Sequence, residues 1–403
     1  MVSKGWTKGT IEDIAKVTSG GTPSRAKDSY WNGHIPWVTT SEVKFGVIAD
    51  AEQKITQEGL DNSSAKLFPK DTILMAMYGQ GKTRGQVAKL GIEASTNQAC
   101  AALLLHKEHD VEYYYQFLTS QYENIRDLAN SGGQQNLSAG IIKGIHVPIP
   151  PLPEQLKIAK ILSTWDKAIT TTEKLIATSK QQKKALMQPL LTGKKRLINP
   201  DTGKAFEGEW EYVRAGDIFS TRSNKKHNSD LPILAITQDQ GAIPRELIDY
   251  NVSVTIDSIS GYKVVEVGDF IISLRSFQGG IEYSKYKGIC SPAYVILYPT
   301  TEISDAFYKY HLKSHPFIQA MKSRLEGIRD GKIISYKYFS EIKLPKPSLE
   351  EQQKIASVLT SADKEIGLLE TKLAHLKYEK KALMQQLLTG RRRVKLQSKE
   401  CIV

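Results

Sequence analysis

Cysteine is scarce in this 403-residue chain, limited to Cys100, Cys290 and Cys401. Three scattered thiols exclude a disulfide framework and a four-thiolate zinc site, and they favour a reducing, cytosolic setting. Long apolar runs are missing as well. The most apolar stretch, ACAALLL at 99–105, is far short of the ~20 residues that a membrane span requires. The opening MVSKGWTKGTIEDIA has no apolar h-region, so a cytoplasmic protein that is neither exported nor membrane-bound is expected. Methyl transfer to adenine calls for an Asn-Pro-Pro-aromatic or Asp-Pro-Pro-Tyr motif, and INPD at 198–201 lacks both the second proline and the ring. His106 with His109, and His311 with His315, have metal-like spacing but no convincing third ligand, so no metal and no cofactor is expected.

Positive charge, by contrast, is plentiful. Fifty-five Lys and Arg against 43 Asp and Glu give a net charge of +12, which makes a polyanion, nucleic acid first, a plausible partner. A repeat is also present. KKALMQPLLTGKKR at 183–196 returns as KKALMQQLLTGRRR at 380–393, differing only at Pro189/Gln386, Lys194/Arg391 and Lys195/Arg392. At the same offset Glu154, Gln155, Lys157, Ile158 and Ala159 meet Glu351, Gln352, Lys354, Ile355 and Ala356, and Asp166-Lys167 meets Asp363-Lys364.

Both copies are rich in Leu, Ile, Ala, Lys, Gln and Glu and, Gly367 excepted, free of internal glycine, so each reads as one long helix. Ser348 followed by Glu351 forms a capping-box pattern, Pro151 and Pro153 open the first copy, and Gly193 and Gly390 close the two. About 40 residues at 1.5 Å each make a rod of roughly 60 Å, suited to a spacer or an assembly surface. Ile158, Leu162, Trp165, Ile169, Ile176, Leu186 and Leu190 follow a heptad alternation, with Thr172, Ser179 and Lys183 in the gaps. The second seam is Ile355, Leu359, Ala362, Ile366, Leu369, Leu373, Leu376, Leu383 and Leu387, with Lys380 standing where Lys183 stands. An antiparallel pair with a pseudo-two-fold axis is expected, with these seams packing helix on helix. Pro189 should kink the first helix or end it early.

The remaining segments, 1–152 and 197–348, are domain-sized, rich in short β-like runs, and end in HVPIPP and IKLPKPS. The expected division is therefore a globule at 1–152, a helix at 153–196, a globule at 197–348, a helix at 349–394 and a tail at 395–403. The fold class is α+β: two mixed α/β globules joined by two long helices in an antiparallel coiled coil. The globules align at Asp71-Thr72-Ile73-Leu74 with Asp269-Phe270-Ile271-Ile272 and at few other places, so the helices have one common task and the globules two different ones.

Candidate DNA contacts lie in polar, glycine-containing loops. AMYGQGKT at 76–83 resembles a loosened P-loop, yet RGQVAKLGIEAS after it alternates like a strand instead of opening a helix. Tyr78, Lys82, Thr83 and Arg84 there, and Arg275, Ser276 and Gln278 in SLRSFQGG at 273–280, suit base-edge and phosphate contacts. SGGTPSR at 19–25 offers Thr22, Ser24 and Arg25, and NSGGQQN at 130–136 offers Gln134 and Gln135. TRSNKKHN at 221–228 offers Arg222, Asn224, Lys225 and Lys226, and GIRDGK at 327–332 offers Arg329 and Lys332. Plain surface turns are the competing reading of each. The basic helix ends at 194–196 and 391–393 suit either DNA or the negative end of the helix dipole.

The order globule, helix, globule, helix, with GGTPS at 20–24 and LLTG closing each helix, resembles the specificity subunit of type I restriction-modification systems across nearly the whole chain. That resemblance implies a non-catalytic, sequence-specific reader of double-stranded DNA. Each globule would be a target recognition domain for one half of a bipartite, asymmetric target. The helices would set the spacing and dock two copies of the methyltransferase subunit, and a restriction/translocase subunit would join through the complex. Two other classes stay open: a P-loop NTPase or nuclease acting on DNA, with Glu52-Gln53-Lys54 and Glu341-Ile342-Lys343 as acid-x-Lys patterns, and a coiled-coil scaffold without sequence preference.

Overall fold

The structure, a computed structural model, describes residues 3–79, 82–128, 136–227, 230–248, 259–323 and 335–396. It divides into two compact units, Met1–Glu173 with Thr371–Val403, and Lys174–Glu370. Each unit thus holds one globule, the N-terminal part of the long helix that follows it, and the C-terminal part of the other long helix.

In the first unit a five-stranded sheet runs in the order Ala15–Ser19, Cys100–Leu105, Ile73–Ala76, Val87–Leu90 and Val47–Ile48. Its alternation explains the apolar run noted above. Ala101 and Leu103 join Ile73, Met75 and Val87 in one core, while Cys100 and Ala102 join Leu74, Ala76 and Leu90 in another. A strand covered on both faces reads as continuously apolar. A second sheet, ordered Gln53–Ile55, Trp31–Val38, Ala94–Thr96 and Leu67–Phe68, encloses its own small core of Ile35, Trp37 and Ile55. The register slips between Trp31 and Ile35, where Asn32 adopts a left-handed φ of 59°.

The second unit repeats the scheme with other residues. Phe219–Arg222, Val295–Pro299, Phe270–Ile272 and Glu282–Tyr283 form a four-stranded sheet, with Phe270 and Ile272 in one core and Ile271 in the other. The proline-bearing exits also correspond. His146–Ile149 pairs antiparallel with Thr7–Thr10, and Lys343–Lys346 with Glu211–Arg214, in two-stranded sheets where a missing amide donor is tolerated.

The long helices span Leu152–Leu191 and Leu349–Leu387, 40 and 39 residues. Pro189 does not shorten the first helix, contrary to the sequence expectation. It stands two residues from the end, in the last turn, so the one amide bond it removes has almost no helix beyond it to release, and the helix continues to Leu191. Gly193 and Gly390 follow the helices with φ of 70° and 71°, the left-handed conformation that glycine adopts without penalty. The capping box at Ser348 is half formed: the Glu351 amide donates to Ser348 Oγ at 3.3 Å, while the Glu351 carboxylate turns elsewhere. Along both helices the heptad positions are buried or half-buried.

Within each unit the two helix segments run antiparallel, as the ion pairs show. In the first, Lys380 Nζ meets Asp166 Oδ1 at 2.6 Å and Lys377 meets Glu173 at 2.7 Å. In the second, Lys183 Nζ meets Asp363 Oδ1 at 2.5 Å and Lys180 meets Glu370 at 2.7 Å. The lysines that interrupt each apolar seam are therefore matched by the repeated aspartates of the other helix, which fixes register and direction together.

Candidate nucleic-acid interface

Both globules are closed onto their helices by the same constellation. Glu351 is buried, with Arg196 Nε and Nη2 donating to its two oxygens at 2.6 and 2.8 Å and Trp210 Nε1 at 2.9 Å. In the first unit Arg393 grips Glu154 with Nε and Nη2, and Trp6 Nε1 donates at 3.2 Å. Gln155 and Gln352 repeat each other too, donating to Pro150 and Pro347 carbonyls and accepting from the Asp110 and Ser304 amides. Of the basic helix ends, the last arginine of each thus serves the fold.

On the N-terminal globule, the 19–25 loop is built by close approach. A Cβ at Gly20 or Gly21 would collide with the Thr96 or Ser64 backbone, and the Gly21 amide donates to Thr96 at 2.9 Å. Thr22 Oγ1 donates to exposed Gln98 at 2.5 Å. Ser24 gives its carbonyl to Trp31 Nε1 at 3.1 Å, and Arg25 lies over the Trp31 ring at 3.6 Å. In the 76–84 segment Tyr78 and Lys82 are exposed, and Tyr122 Oη donates to the Lys82 carbonyl at 2.5 Å. Thr83 and Arg84 are half-buried, and the chain enters strand Val87–Leu90, so no helix N-terminus meets the loop as a phosphate cradle needs.

On the C-terminal globule, Arg275 and Gln278 are exposed, but Ser276 is 1% exposed and its Oγ accepts from the Ser273 amide at 2.8 Å. Ser276 shapes its loop from within. Arg275 shares a 310 Å³ cavity with Arg245, Ser291 and Tyr294. Arg245 Nη1 is buried there with no hydrogen-bond partner among the described residues, and burial raises the Tyr294 phenol while the two arginines pull it down. Arg222 is committed to the fold, paired with buried Asp269 at 3.1 Å and lying over Tyr298 at 4.5 Å. Asn224, Lys225 and Lys226 are exposed, and the Lys226 amide bonds Asn224 Oδ1 at 2.9 Å. Gln134, Gln135, Arg329 and Lys332 lie outside the described residues.

The remaining motifs offer no reactive centre among the described residues. His311 is buried against Phe307, and burial pushes it down to about 4. No group of three metal-ligating side chains occurs among the described residues. Cys100 and Cys290 are buried, and burial pushes both thiols up to about 12. Lys54 of the first acid-x-Lys pattern pairs with Asp50 at 3.3 Å. No helix of the described residues is long and apolar enough to cross a membrane.

The family model "Type I restriction modification DNA specificity domain" matches twice, at residues 3–180 and 207–378, each match holding one globule and part of the helix after it. The chain belongs to the type I DNA specificity family. Its curated relatives in this family include the MjaVIII and putative MjaX specificity subunits of Methanocaldococcus jannaschii. The first is 28% identical, covering 98% of this chain and 94% of the relative, and the second 26%, covering 98% and 95%. The EcoR124I/EcoR124II specificity subunit of Escherichia coli is 30% identical over 39% of this chain and 40% of its own. Solved S subunits share the fold: that of M. genitalium superposes with a TM-score of 0.59 at 19% identity, covering 95% of this chain and 96% of that one. This chain is a DNA-target-recognising specificity subunit of that family.

Sequence reasoning found the helical repeat but missed the Trp6 and Trp210 closures, the Trp31 and Gln53 surroundings of Arg25, and Arg245. The tryptophans carried no signal, since Trp6 and Trp210 fall outside the constant repeat offset. Arg196 and Arg393 did repeat, as did Glu154 and Glu351, and antiparallel pairing is what joins them.

Proposed function

We propose that this chain gives a type I restriction-modification complex its target: a bipartite, asymmetric DNA sequence, one half read by each globule. One observation carries the reading. Two globules that share few residues are each fastened to the helices by the same Glu–Arg–Trp closure and the same Lys–Asp pair. Equivalent helix surfaces suit two copies of one methyltransferase subunit, whereas different globules suit two different half-sites. Chemistry would then belong to the partners, with the restriction/translocase subunit joining through the assembled complex in the cytoplasm. The basic charge supplies a salt-sensitive phosphate attraction, and exposed Arg, Lys and Gln on the loops supply base-edge contacts. Mapping N6-methyladenine in the source cell with and without this gene tests the proposal. Loss of methylation at one split, asymmetric motif is the expected result. Methylation by the expressed companion subunit that is indifferent to this gene would overturn it.

A further inference from the structure

Among the arginines, Arg196, Arg222 and Arg393 are each tied to a buried carboxylate. Arg25 is held differently. Its guanidinium carbon lies 3.6 Å from the Trp31 ring centroid and 5.1 Å from that of Trp37, and its Nη2 donates to Gln53 Oε1 at 2.7 Å. No carboxylate pairs with it among the described residues, so its charge is oriented but not cancelled. The indoles do not need Arg25 to hold them. Trp31 and Trp37 stand edge to face at 5.1 Å, and their ring N–H groups already bond the Ser24 and Gly21 carbonyls at 3.1 and 2.9 Å. The platform is thus built first and the arginine laid upon it, on an exposed loop.

Such a placement has a chemical meaning. A guanidinium carries five donors in a flat fork, and stacking on an indole fixes the plane of that fork. Gln53 engages Nη2, and the residue that carries the fork is exposed. A fork held flat loses less freedom when it binds a flat, two-acceptor partner, and in the major groove that partner is the O6/N7 edge of guanine. A phosphate can also accept both arms of the fork, and it is dependence on a single base pair that distinguishes a guanine contact from a backbone one.

We propose that Arg25 reads one guanine in the half-site of the N-terminal globule, and that Trp31 and Gln53 are its positioning residues. The inference rests on the DNA-reading role proposed above. The test is the methylation motif written by the full chain produced together with its methyltransferase subunit, for wild type, Arg25→Lys, Gln53→Ala, Trp31→Leu and Trp31→Phe.

Arg25→Lys keeps the charge and loses the fork, so discrimination at a single G·C pair should fall by about 10- to 100-fold. Gln53→Ala and Trp31→Leu should relax the same position more weakly, and Trp31→Phe, which keeps a ring beneath the guanidinium, should restore it. The half-site of the C-terminal globule should stay intact in every variant, which also shows that the chain has folded. An unchanged motif in Arg25→Lys, relaxation at an A·T pair, or uniform loss over the whole half-site would overturn the assignment. A wild-type complex that writes no split motif would instead overturn the DNA-reading role itself.

Discussion

Glu282 lies on the short edge strand Glu282–Tyr283 of the second unit, yet its side chain is only 3% exposed. Lys313 sits 2.6 Å away and also donates to the Gln238 carbonyl at 2.5 Å. Burial nevertheless outweighs Lys313 and Lys309, Asp239 adds its repulsion, and the carboxyl is pushed up to about 7 from an ordinary 4.5. Between about pH 4.5 and 7 the folded chain therefore holds a proton that the unfolded chain has released. Stability from this group is fully present below 4.5 and is lost as pH rises through 7. Asp269, raised mainly by burial from 3.8 to about 6 despite Arg222, acts in the same direction at lower pH. Glu282→Gln removes the buried charge yet can still accept from Lys313. It should raise the stability of the second unit by about 1 to 3 kcal/mol at pH 8, with the gain shrinking toward pH 5. Thermal unfolding of both proteins across that range checks it, and a gain that grows toward acid pH would refute the account.

The long helices owe their antiparallel partnership to a few polar residues placed among many equivalent leucines. Leucine seams tolerate slippage, whereas Lys183 opposite Asp363 and Lys380 opposite Asp166 do not. Neighbours lock these pairs further: Tyr310 Oη donates to Asp363 at 2.6 Å and Gln116 Nε2 to Asp166 at 2.6 Å. The helix ends are held more tightly still. Glu351→Ala strips two guanidinium bonds and an indole bond from a buried position, leaving Arg196 without its carboxylate. A loss of about 3 to 5 kcal/mol is expected in denaturant unfolding, with the second unit giving way first. Glu154→Ala should do the same to the first unit, and equal loss in both units from either change would show that the closures are not local.

Much of this element scale was legible beforehand. Heptad spacing, the repeated Asp166 and Asp363, the seam lysines and the terminal glycines are local signals that survive without a structure. What could not be read were pairings across hundreds of residues. Arg25 stood out as a loop arginine, but its platform and its anchor reach it through a register slip in one strand and a neighbour on another. Ser276 was misjudged for a related reason, because a loop serine facing inward to cap its own turn has the same sequence as one facing out.

At the scale of the molecule, the decisive property is that two globules with separate cores occupy one chain. The cores of the two globules share no residue, and the units divide within the long helices. Energetic independence follows, since sites without common partners usually add within about 0.5 kcal/mol. Arg275, exposed beside Arg245 at the 310 Å³ cavity of the second unit, and Arg25 of the first supply the test. Arg275→Ala should relax only the half-site read by the C-terminal globule, at a cost of about 1 to 3 kcal/mol, and Arg25→Lys only the other. Competition among four duplexes, cognate, altered in either half and altered in both, measures each loss and the loss in the double variant. Additive losses mean that the halves read separately on a common strut, so that new targets can be assembled by exchanging one globule. A double variant that loses much less than the sum would mean that the two sites act as one, and that neither half-site is recognised before the other is engaged.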